Sequence, residues 1–237
     1  MPQQERQLRV KEIIQRTYNV KSVRLEVGRE TDFKAGQFLQ ITLNNNPQLK
    51  RYLSISSSPT EKGYIECTKK ITESDFSKVL AALAAGDVVR VQYPFGRFTL
   101  EHNKTGGKVA FLSGGIGITP LRSIAKFAVD KNLGLDMVLL YANRSLRDVV
   151  FREDFEAMQK AYAQLKVSHV LCEAAPNFTC TVGLINSTVI KQEIPDYAQR
   201  SFFLCGPPGM VEAMKKILTD ELSLPSSQVI TENFAGY

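Results

Sequence analysis

Two glycine-containing turns in the second half of the sequence have the composition of an anion-binding site. The first, residues 113–120, reads Ser-Gly-Gly-Ile-Gly-Ile-Thr-Pro and joins an apolar run to an amphipathic one. Glycine lets a backbone approach a phosphate closely, and the free N–H groups of a following helix favour negative charge. Thr119 is the predicted N-cap and Pro120 the first helical residue. A tight strand-to-helix turn without a ligand has the same composition, so the motif alone leaves both interpretations open.

The second turn, residues 204–210, reads Leu-Cys-Gly-Pro-Pro-Gly-Met and also follows a predicted strand. Ligands of open α/β sheets bind at the carboxyl ends of the strands, which would place both turns at one crevice. Cys205 would present a small, polarisable side chain there, or be one more buried small residue; Met210 is interpreted as a core residue. The second strand ends in Tyr-Ala-Asn-Arg at residues 141–144. This strand end lacks the acidic residue that hydrogen-bonds the ribose in the usual dinucleotide-binding fingerprint, which argues against an ordinary Rossmann dehydrogenase.

The first half carries a second set of polar residues. Arg51 and Ser54 are three apart on a predicted strand, so their side chains are expected on opposite faces. The fork-shaped guanidinium of Arg51 suits a pyrophosphate. The segment 72–77, Thr-Glu-Ser-Asp-Phe-Ser, opens a predicted helix and offers hydroxyl and N–H groups.

Two kinds of element must position these residues. Six short strands are predicted in the first hundred residues, at 8–14, 22–27, 38–43, 52–57, 64–70 and 88–93, with one helix near 76–83, which suggests an antiparallel barrel. The second half alternates strands (108–112, 136–141, 166–171, 201–204, 228–230) with helices (from about 119, 149–160, 184–192, 210–218), which indicates a parallel sheet with helices on both faces. The polar joint at 101–107 separates a predicted domain 1–103 from a domain 104–237.

Composition excludes several classes of protein. The chain has 237 residues, of which 43% are apolar and 23% charged, so a disordered, collagen-like or coiled-coil chain is excluded. No apolar run reaches the ~20 residues of a membrane span, and the polar N-terminus is not a secretory signal, so a cytoplasmic protein is expected. The four cysteines and two histidines are scattered, so neither a metal site nor a disulfide framework is expected.

The net charge of +6 comes entirely from the first half, since residues 1–105 hold 17 basic and 11 acidic residues and the remainder holds 13 of each. This bias fits a phosphate-bearing ligand or an acidic partner, and equally an ordinary solvated surface. Basic runs typical of nucleic-acid binding are absent from the sequence.

Taken in order, these segments resemble the ferredoxin–NADP reductase family of flavoenzymes, over essentially the whole chain. Arg51 and Ser54 match the ends of the family's R-x-Y-S motif, with Leu53 in place of its tyrosine, and Ser77 matches its G-x-x-S turn, with Ser74 in place of the glycine. The resemblance implies an N-terminal six-stranded antiparallel flavin-binding barrel, followed by a parallel-sheet, Rossmann-like NAD(P)-binding domain. It also implies FAD as cofactor and NADH or NADPH as hydride donor.

The resemblance implies roles for individual residues. Arg51 would hold the flavin pyrophosphate, Ser54 would lie near flavin N5, and Glu232 of a terminal E-x-F motif would face the hydride-transfer site. The implied catalytic residues are Ser54, Cys205 and Glu232. The implied cofactor contacts are Arg51, Tyr52, Leu53, Ser54, Thr68, Lys69, Ser74, Phe76, Ser77, Gly115, Gly117, Thr119, Arg144, Glu173, Cys205, Gly206, Pro207, Phe234 and Tyr237. Glu173 stands where NADPH-using relatives tend to show Ser-Arg and so favours NADH, whereas Arg144 and Arg147 would favour a phosphate.

The expected activity is hydride transfer from NAD(P)H to bound FAD, followed by electron transfer to a separate acceptor such as a ferredoxin or an oxygenase component. The basic barrel half would suit a small acidic carrier. Two alternatives stay open: an NAD(P)H:flavin reductase that uses free flavin as substrate, and a non-catalytic electron-transfer subunit of a larger complex.

Overall fold

The computed structural model describes residues 4–28 and 32–232. Their twelve strands form two six-stranded sheets. The first sheet contains β1 (Gln4–Thr17), β2 (Val20–Glu26), β3 (Phe38–Thr42), β4 (Lys50–Ser54), β5 (Tyr64–Lys70) and β6 (Val88–Phe95). The second contains β7 (Lys108–Gly114), β8 (Asp136–Asn143), β9 (Leu165–Leu171), β10 (Thr181–Val182), β11 (Ser201–Cys205) and β12 (Val229–Glu232). The helices are α1 (Asp75–Ala81), α2 (Ile118–Asp130), α3 (Arg152–Ala161), α4 (Ser187–Glu193) and α5 (Pro208–Lys216).

The first sheet is antiparallel, in the order β4-β3-β6-β1-β2-β5, and it curls into a barrel. Its two edge strands meet where Ile55 bridges to Cys67 and the Ser56 N–H donates to the Glu66 carbonyl at 2.7 Å. Alternate residues of each strand point inward, and α1 adds Phe76 and Leu80 to the same apolar core. This confirms the predicted six-stranded antiparallel barrel.

The second sheet is parallel, in the order β10-β9-β8-β7-β11-β12, with helices on both faces. The order changes direction at β7, whose two neighbours are β8 and β11. Both glycine-containing turns therefore leave strands at the switch point where open α/β sheets bind ligands. The predicted α/β architecture is confirmed, and no helix in the described ranges is long and apolar enough to cross a membrane.

Three local predictions were wrong, namely Thr119 as an N-cap, Pro120 as the first helical residue, since α2 begins at Ile118, and the start of the third helix. Thr119 is not an N-cap, because a 3-10 turn at Gly115–Gly117 precedes α2 and its cap is Gly117, whereas the Thr119 hydroxyl donates to the Ile116 carbonyl at 3.1 Å. The third helix begins at Arg152 rather than near residue 149, since Phe151 adopts a left-handed φ of 60°. Strand β10 was not predicted, because two residues are too few to show a period.

Candidate active site

The two glycine-containing turns pack against each other backbone to backbone. A Cβ on Gly117 would lie 2.3 Å from the Cys205 carbonyl oxygen and 2.5 Å from the Gly206 Cα. A Cβ on Gly114 would lie 2.2 Å from the Met210 sulfur. Side chains at these positions would force the turns apart, so the glycines are required by contact between β7 and β11 rather than by direct access to a ligand.

Gly115 has a different role, because it adopts a left-handed φ of +52° and a Cβ there would meet open space. Its carbonyl accepts a hydrogen bond from the Tyr141 hydroxyl at 3.0 Å, and that hydroxyl accepts one from the Val150 N–H at 3.3 Å. Tyr141 is fully buried. Two hydrogen bonds thus hold the half-buried bend from its inner side, and its other side faces the cavity described next.

A cavity of about 300 Å³ opens beside this bend. The barrel contributes Tyr18, Asn19, Val20 and Lys70 to its wall. The α/β half contributes Gly114, Gly115, Ile116, Ala142, Asn143, Arg144, Asp148, Val150, Cys172, Gly183, Leu184, Pro207 and Met210. Its size lies at the lower end of ordinary small-molecule sites, and its wall combines apolar surface with two cations.

Asn143 is a poorly paired polar group in the cavity wall. The side chain is 8% exposed and neither amide atom makes a hydrogen bond of good geometry, although it lies close enough to the Tyr141 hydroxyl to offset part of the rise that burial causes in the pKa of that tyrosine. A poorly paired buried amide is costly, so a ligand that both donates and accepts hydrogen bonds would satisfy it. Asn143 is the last residue of β8. Dinucleotide-binding folds place a carboxylate that binds the ribose at this strand end, and Asn143 supplies a neutral amide there instead.

Cys205 and Glu232 are paired on the neighbouring strands β11 and β12. Burial raises the pKa of Glu232 to about 7, so this carboxyl is partly protonated at neutral pH. Burial, together with the neighbouring Glu232 charge, raises the pKa of Cys205 well above the ordinary thiol value. Cys205 is therefore a neutral thiol, and Glu232 is a group that can hold or release a proton near neutrality.

The predicted pyrophosphate contacts lie together at the end of the barrel. Arg51 shares a face of β4 with core residues, its guanidinium lies 5.5 Å from the centre of the Phe76 ring, and it donates to the carbonyls of Gln48 and Lys50. Burial and the neighbouring Arg51 charge lower the pKa of Lys69. Among the described residues no carboxylate pairs with Arg51, so an anion placed between these two cations would relieve their repulsion. This arrangement fits a pyrophosphate.

Next to these cations, the hydroxyl groups of Thr72, Ser74 and Ser77 lie within 3.1 Å of one another. Ser77 is fully buried, and the Ser74 hydroxyl caps α1 by accepting from the Ser77 N–H. The Ser74 side chain therefore takes the position of the family's glycine and closes part of the turn with its own hydroxyl.

The other predicted flavin contacts are spread over different surfaces. Ser54 is buried opposite Phe38, whereas Leu53 belongs to the barrel core and Tyr52 is exposed against Phe38 and Phe95. The Thr68 hydroxyl bonds to Ser22 and Ser56 at 2.7 and 2.8 Å, on the side of β5 away from Lys69.

Of the predicted nucleotide contacts, Gly115, Arg144 and Pro207 line the cavity. Gly117, Cys205 and Gly206 form the packed layer beneath it, and Glu173 is an exposed residue that follows Cys172, which lines the cavity. Phe234 and Tyr237 lie outside the described residues. Sequence reasoning did not assign Tyr18 or Asn143 to the site, although Asn143 ends a predicted strand. It placed Lys70 only on the flavin side, next to Thr68 and Lys69.

Family descriptions match both halves of the chain. Residues 7–100 match the oxidoreductase FAD-binding domain, and residues 111–216 match the oxidoreductase NAD-binding domain. The first match contains the Arg51 and Lys69 cluster, and the second contains both glycine-containing turns.

Curated relatives and solved structures agree with this division. A NADH-cytochrome b5 reductase 1 from Aspergillus oryzae is 30% identical over 231 residues, covering 91% of this chain and 78% of that protein. A glycine betaine monooxygenase reductase subunit from Pseudomonas aeruginosa is 32% identical over 193 residues, covering 78% of this chain and 52% of that protein. The chain spans between 52% and 63% of the length of several such relatives. The ferredoxin reductase in carbazole 1,9a-dioxygenase shares the fold, with a TM-score of 0.85 at 24% identity over 99% of this chain and 70% of its own.

Proposed function

Because the chain belongs to the ferredoxin–NADP reductase-like family of FAD- and NAD(P)-binding oxidoreductases, we propose that it oxidises NADH or NADPH and passes the electrons through FAD to a separate acceptor. The observation that carries this proposal is the cavity between the barrel strand end at Lys70 and the glycine-containing turn at Gly115. A cavity bounded by both halves lets one half hold the flavin and the other the nicotinamide nucleotide. Hydride transfer then becomes a matter of alignment.

The residues of the α/β half would hold the nucleotide. The rigid bend at Gly115 would take a phosphate on its backbone, and Arg144 would add a charge at the cavity wall. Asn143 would pair its amide with a ribose hydroxyl or a carboxamide, because either group both donates and accepts. Domain limits of 1–103 and 104–237 are part of this proposal, supported by the gap between the end of β6 at Phe95 and the start of β7 at Lys108.

The residues of the barrel would hold FAD. Arg51 and Lys69 supply positive charge for the pyrophosphate, Ser77 a buried hydroxyl, and Ser54 a polar group next to the aromatic surface of Phe38. When bound, the flavin supplies the electron chemistry, and the protein sets its distance, orientation and surroundings.

Cys205 and Glu232 would line the point of hydride transfer from the α/β side. The neutral Cys205 thiol excludes water without adding charge. The Glu232 carboxyl, with its pKa raised to about 7 by burial, holds a proton that it can exchange near neutral pH. Neither group needs to act as a strong acid or base, since hydride transfer to a flavin requires alignment more than proton abstraction.

We propose NADH as the preferred donor. Glu173, which follows the cavity residue Cys172, would repel a 2′-phosphate and accept a hydrogen bond from a ribose hydroxyl. Two arginines could favour NADPH: Arg144 lines the cavity, whereas Arg147 already lies 4.8 Å from the centre of the Tyr18 ring. The ratio of kcat/KM for the two nucleotides tests this preference.

We propose a small acidic electron carrier, such as a ferredoxin or an oxygenase component, as the acceptor. The basic surplus of the barrel half supports this, as does the similarity to a monooxygenase reductase subunit. Electron transfer to an acidic carrier should slow as ionic strength rises. A rate that does not change with salt would argue against this partner.

We also propose that the protein works in a reducing cytoplasm. The four cysteines are free thiols, which supports this proposal.

The activity is tested by passing the purified protein through a desalting column and then measuring NADH oxidation with ferricyanide as acceptor. Bound FAD and full activity without added flavin are expected. A colourless protein whose rate of NADH oxidation rises to saturation with added free flavin would instead favour the flavin-as-substrate alternative, which the closed Ser74 turn would suit. Absence of any NADH oxidation would favour a non-catalytic subunit.

A further inference from the structure

One arginine of the α/β half is buried against the barrel. Arg122 of α2 is 2% exposed, and its guanidinium donates to the Ser56 carbonyl at 2.9 Å and to both carboxylate oxygens of Glu61 at 2.7 and 3.2 Å. The remaining contact is with Asp154 of α3, at 2.9 Å. Arg122 therefore binds two segments of the barrel and one of its own half at the same time, in the two-pronged geometry that fixes direction as well as distance.

The ionic contacts continue into the barrel. Arg16 of β1 lies 3.7 Å from Asp154 and 2.9 Å from Glu66, which is 1% exposed. Arg16 and Arg122 also lie against the Phe151 ring, at 4.8 and 5.2 Å from its centre. Arginine and carboxylate side chains thus alternate across the joint between the two halves, and both arginines pack against the Phe151 ring.

The joint lies close to both proposed binding regions. Arg122 follows the glycine-containing turn by only a few residues on α2, and the next residue, Ser123, donates to the Ser57 carbonyl at 2.6 Å. Ser56 and Ser57 lie two and three residues after Ser54 along the chain. These two α2 side chains therefore join the segment that follows the proposed flavin-facing strand end to the helix that follows the nucleotide turn.

Buried ion pairs seldom stabilise a fold more than apolar residues would, because each charge must be desolvated, but they specify one arrangement of the groups they join. Two halves of a chain move relative to one another unless their contact prevents it. We propose that Arg122 is a positioning residue, which fixes the barrel against the α/β half so that a nicotinamide held by one half meets a flavin held by the other. This proposal rests on the proposed function.

The test compares four substitutions. Arg122→Met removes the guanidinium but keeps an unbranched apolar stem, and Glu61→Gln removes the charge on the barrel side at nearly constant volume. The matched control is Arg200→Met, because Arg200 is equally buried at 4% exposed and is bound by two carboxylates, Asp136 and Asp196, that belong to its own half. Arg122→Lys serves as the conservative variant, because lysine keeps the positive charge but cannot bind a carboxylate with two parallel hydrogen bonds.

The first readout is differential scanning calorimetry, which needs neither cofactor nor activity. We expect one cooperative transition in the wild type, two separated transitions in Arg122→Met and in Glu61→Gln, and one transition at lower temperature in Arg200→Met. A single transition in all four proteins, or two in the wild type, would overturn the proposal.

The second readout is the rate of flavin reduction by saturating NADH in a stopped-flow instrument. We expect Arg122→Met to retain its flavin and its NADH Kd within about threefold while the rate falls about 100-fold, as a displacement of about 1 Å produces. The reduction rate of Arg122→Lys should lie between those of the wild type and Arg122→Met, and Arg200→Met should keep the wild-type rate. Equal rates in Arg122→Met and Arg200→Met would overturn the proposal. If the wild type itself is not reduced by NADH, the proposed function fails, and calorimetry alone decides whether Arg122 joins the two halves.

Discussion

Replacing Gly117 with alanine would put a methyl group where the structure has no room for one. Gly117 has an ordinary φ of −60°, so the substitution adds no backbone strain, and its whole effect is steric. The new Cβ would lie 2.3 Å from the Cys205 oxygen and 2.5 Å from two further backbone atoms. Comfortable contact requires about 3.5 Å, so the two turns must separate by about 1 Å.

We expect two consequences from that separation. Overpacking of this kind costs roughly 1–3 kcal/mol of unfolding free energy. A displacement of ~1 Å across the cavity should also lower the rate of flavin reduction about 100-fold. Urea unfolding at constant m-value measures the first, and stopped-flow reduction by NADH measures the second.

Gly209→Ala is the matched control for this experiment. Gly209 lies in α5, and a Cβ there would meet nothing within 4 Å. Alanine should stabilise that helix by about 0.4–1 kcal/mol and leave the reduction rate unchanged. If Gly117→Ala were within about 0.5 kcal/mol of the wild type and reduced its flavin at the same rate, the packed contact between the two turns would not be the constraint that the structure indicates.

Three further substitutions test separate parts of the site. Glu232→Gln should flatten the pH dependence of thermal stability: burial raises the pKa of Glu232 to about 7, so the wild type loses stability as pH rises through 7, and the variant's melting temperature should fall less between pH 6 and 8. Arg51→Met should weaken FAD binding by roughly 10- to 100-fold in a fluorescence titration, because a charge-assisted contact contributes about 1.5–3 kcal/mol, and unchanged affinity would remove Arg51 from the pyrophosphate site. Glu173→Arg should raise the NADPH/NADH ratio of kcat/KM about tenfold or more, and an unchanged ratio would leave Glu173 as a surface charge.

Local periodicity and turn chemistry predicted almost every element of the fold. Alternating residues mark the six barrel strands, and the repeated change from strand to helix marks the parallel sheet. The errors occur where a local signal competes with tertiary contact. Thr119 has the chemistry of an N-cap, but a 3-10 turn packed against Cys205 precedes α2, which begins at Ile118, before the predicted start. Phe151, whose φ is 60°, has its ring buried in the core and against two arginines, contacts that no local pattern shows.

The site was predictable to a lesser extent. A sequence motif identifies the residues of a turn, but it does not identify the residues from distant parts of the chain that pack opposite that turn. The glycines, Arg144 and Pro207 could be identified from their turns. Tyr18 lies in the turn between β1 and β2 and Lys70 ends β5, nearly 100 and fewer than 50 residues before Gly115 along the chain. Nothing local indicates that either residue reaches the same cavity as the glycine-containing turn. The pairing of Arg122 with Glu61 depends in the same way on how two independently predictable halves meet.

The central claim is that this chain carries electrons from a nicotinamide nucleotide to a flavin held in its barrel. Its most direct test is the visible absorption spectrum of the purified protein, recorded before and after one equivalent of NADH is added without oxygen. We expect a yellow protein whose flavin absorbance is bleached by that single equivalent. A protein that retains flavin but keeps its colour in excess NADH and NADPH would contradict the claim.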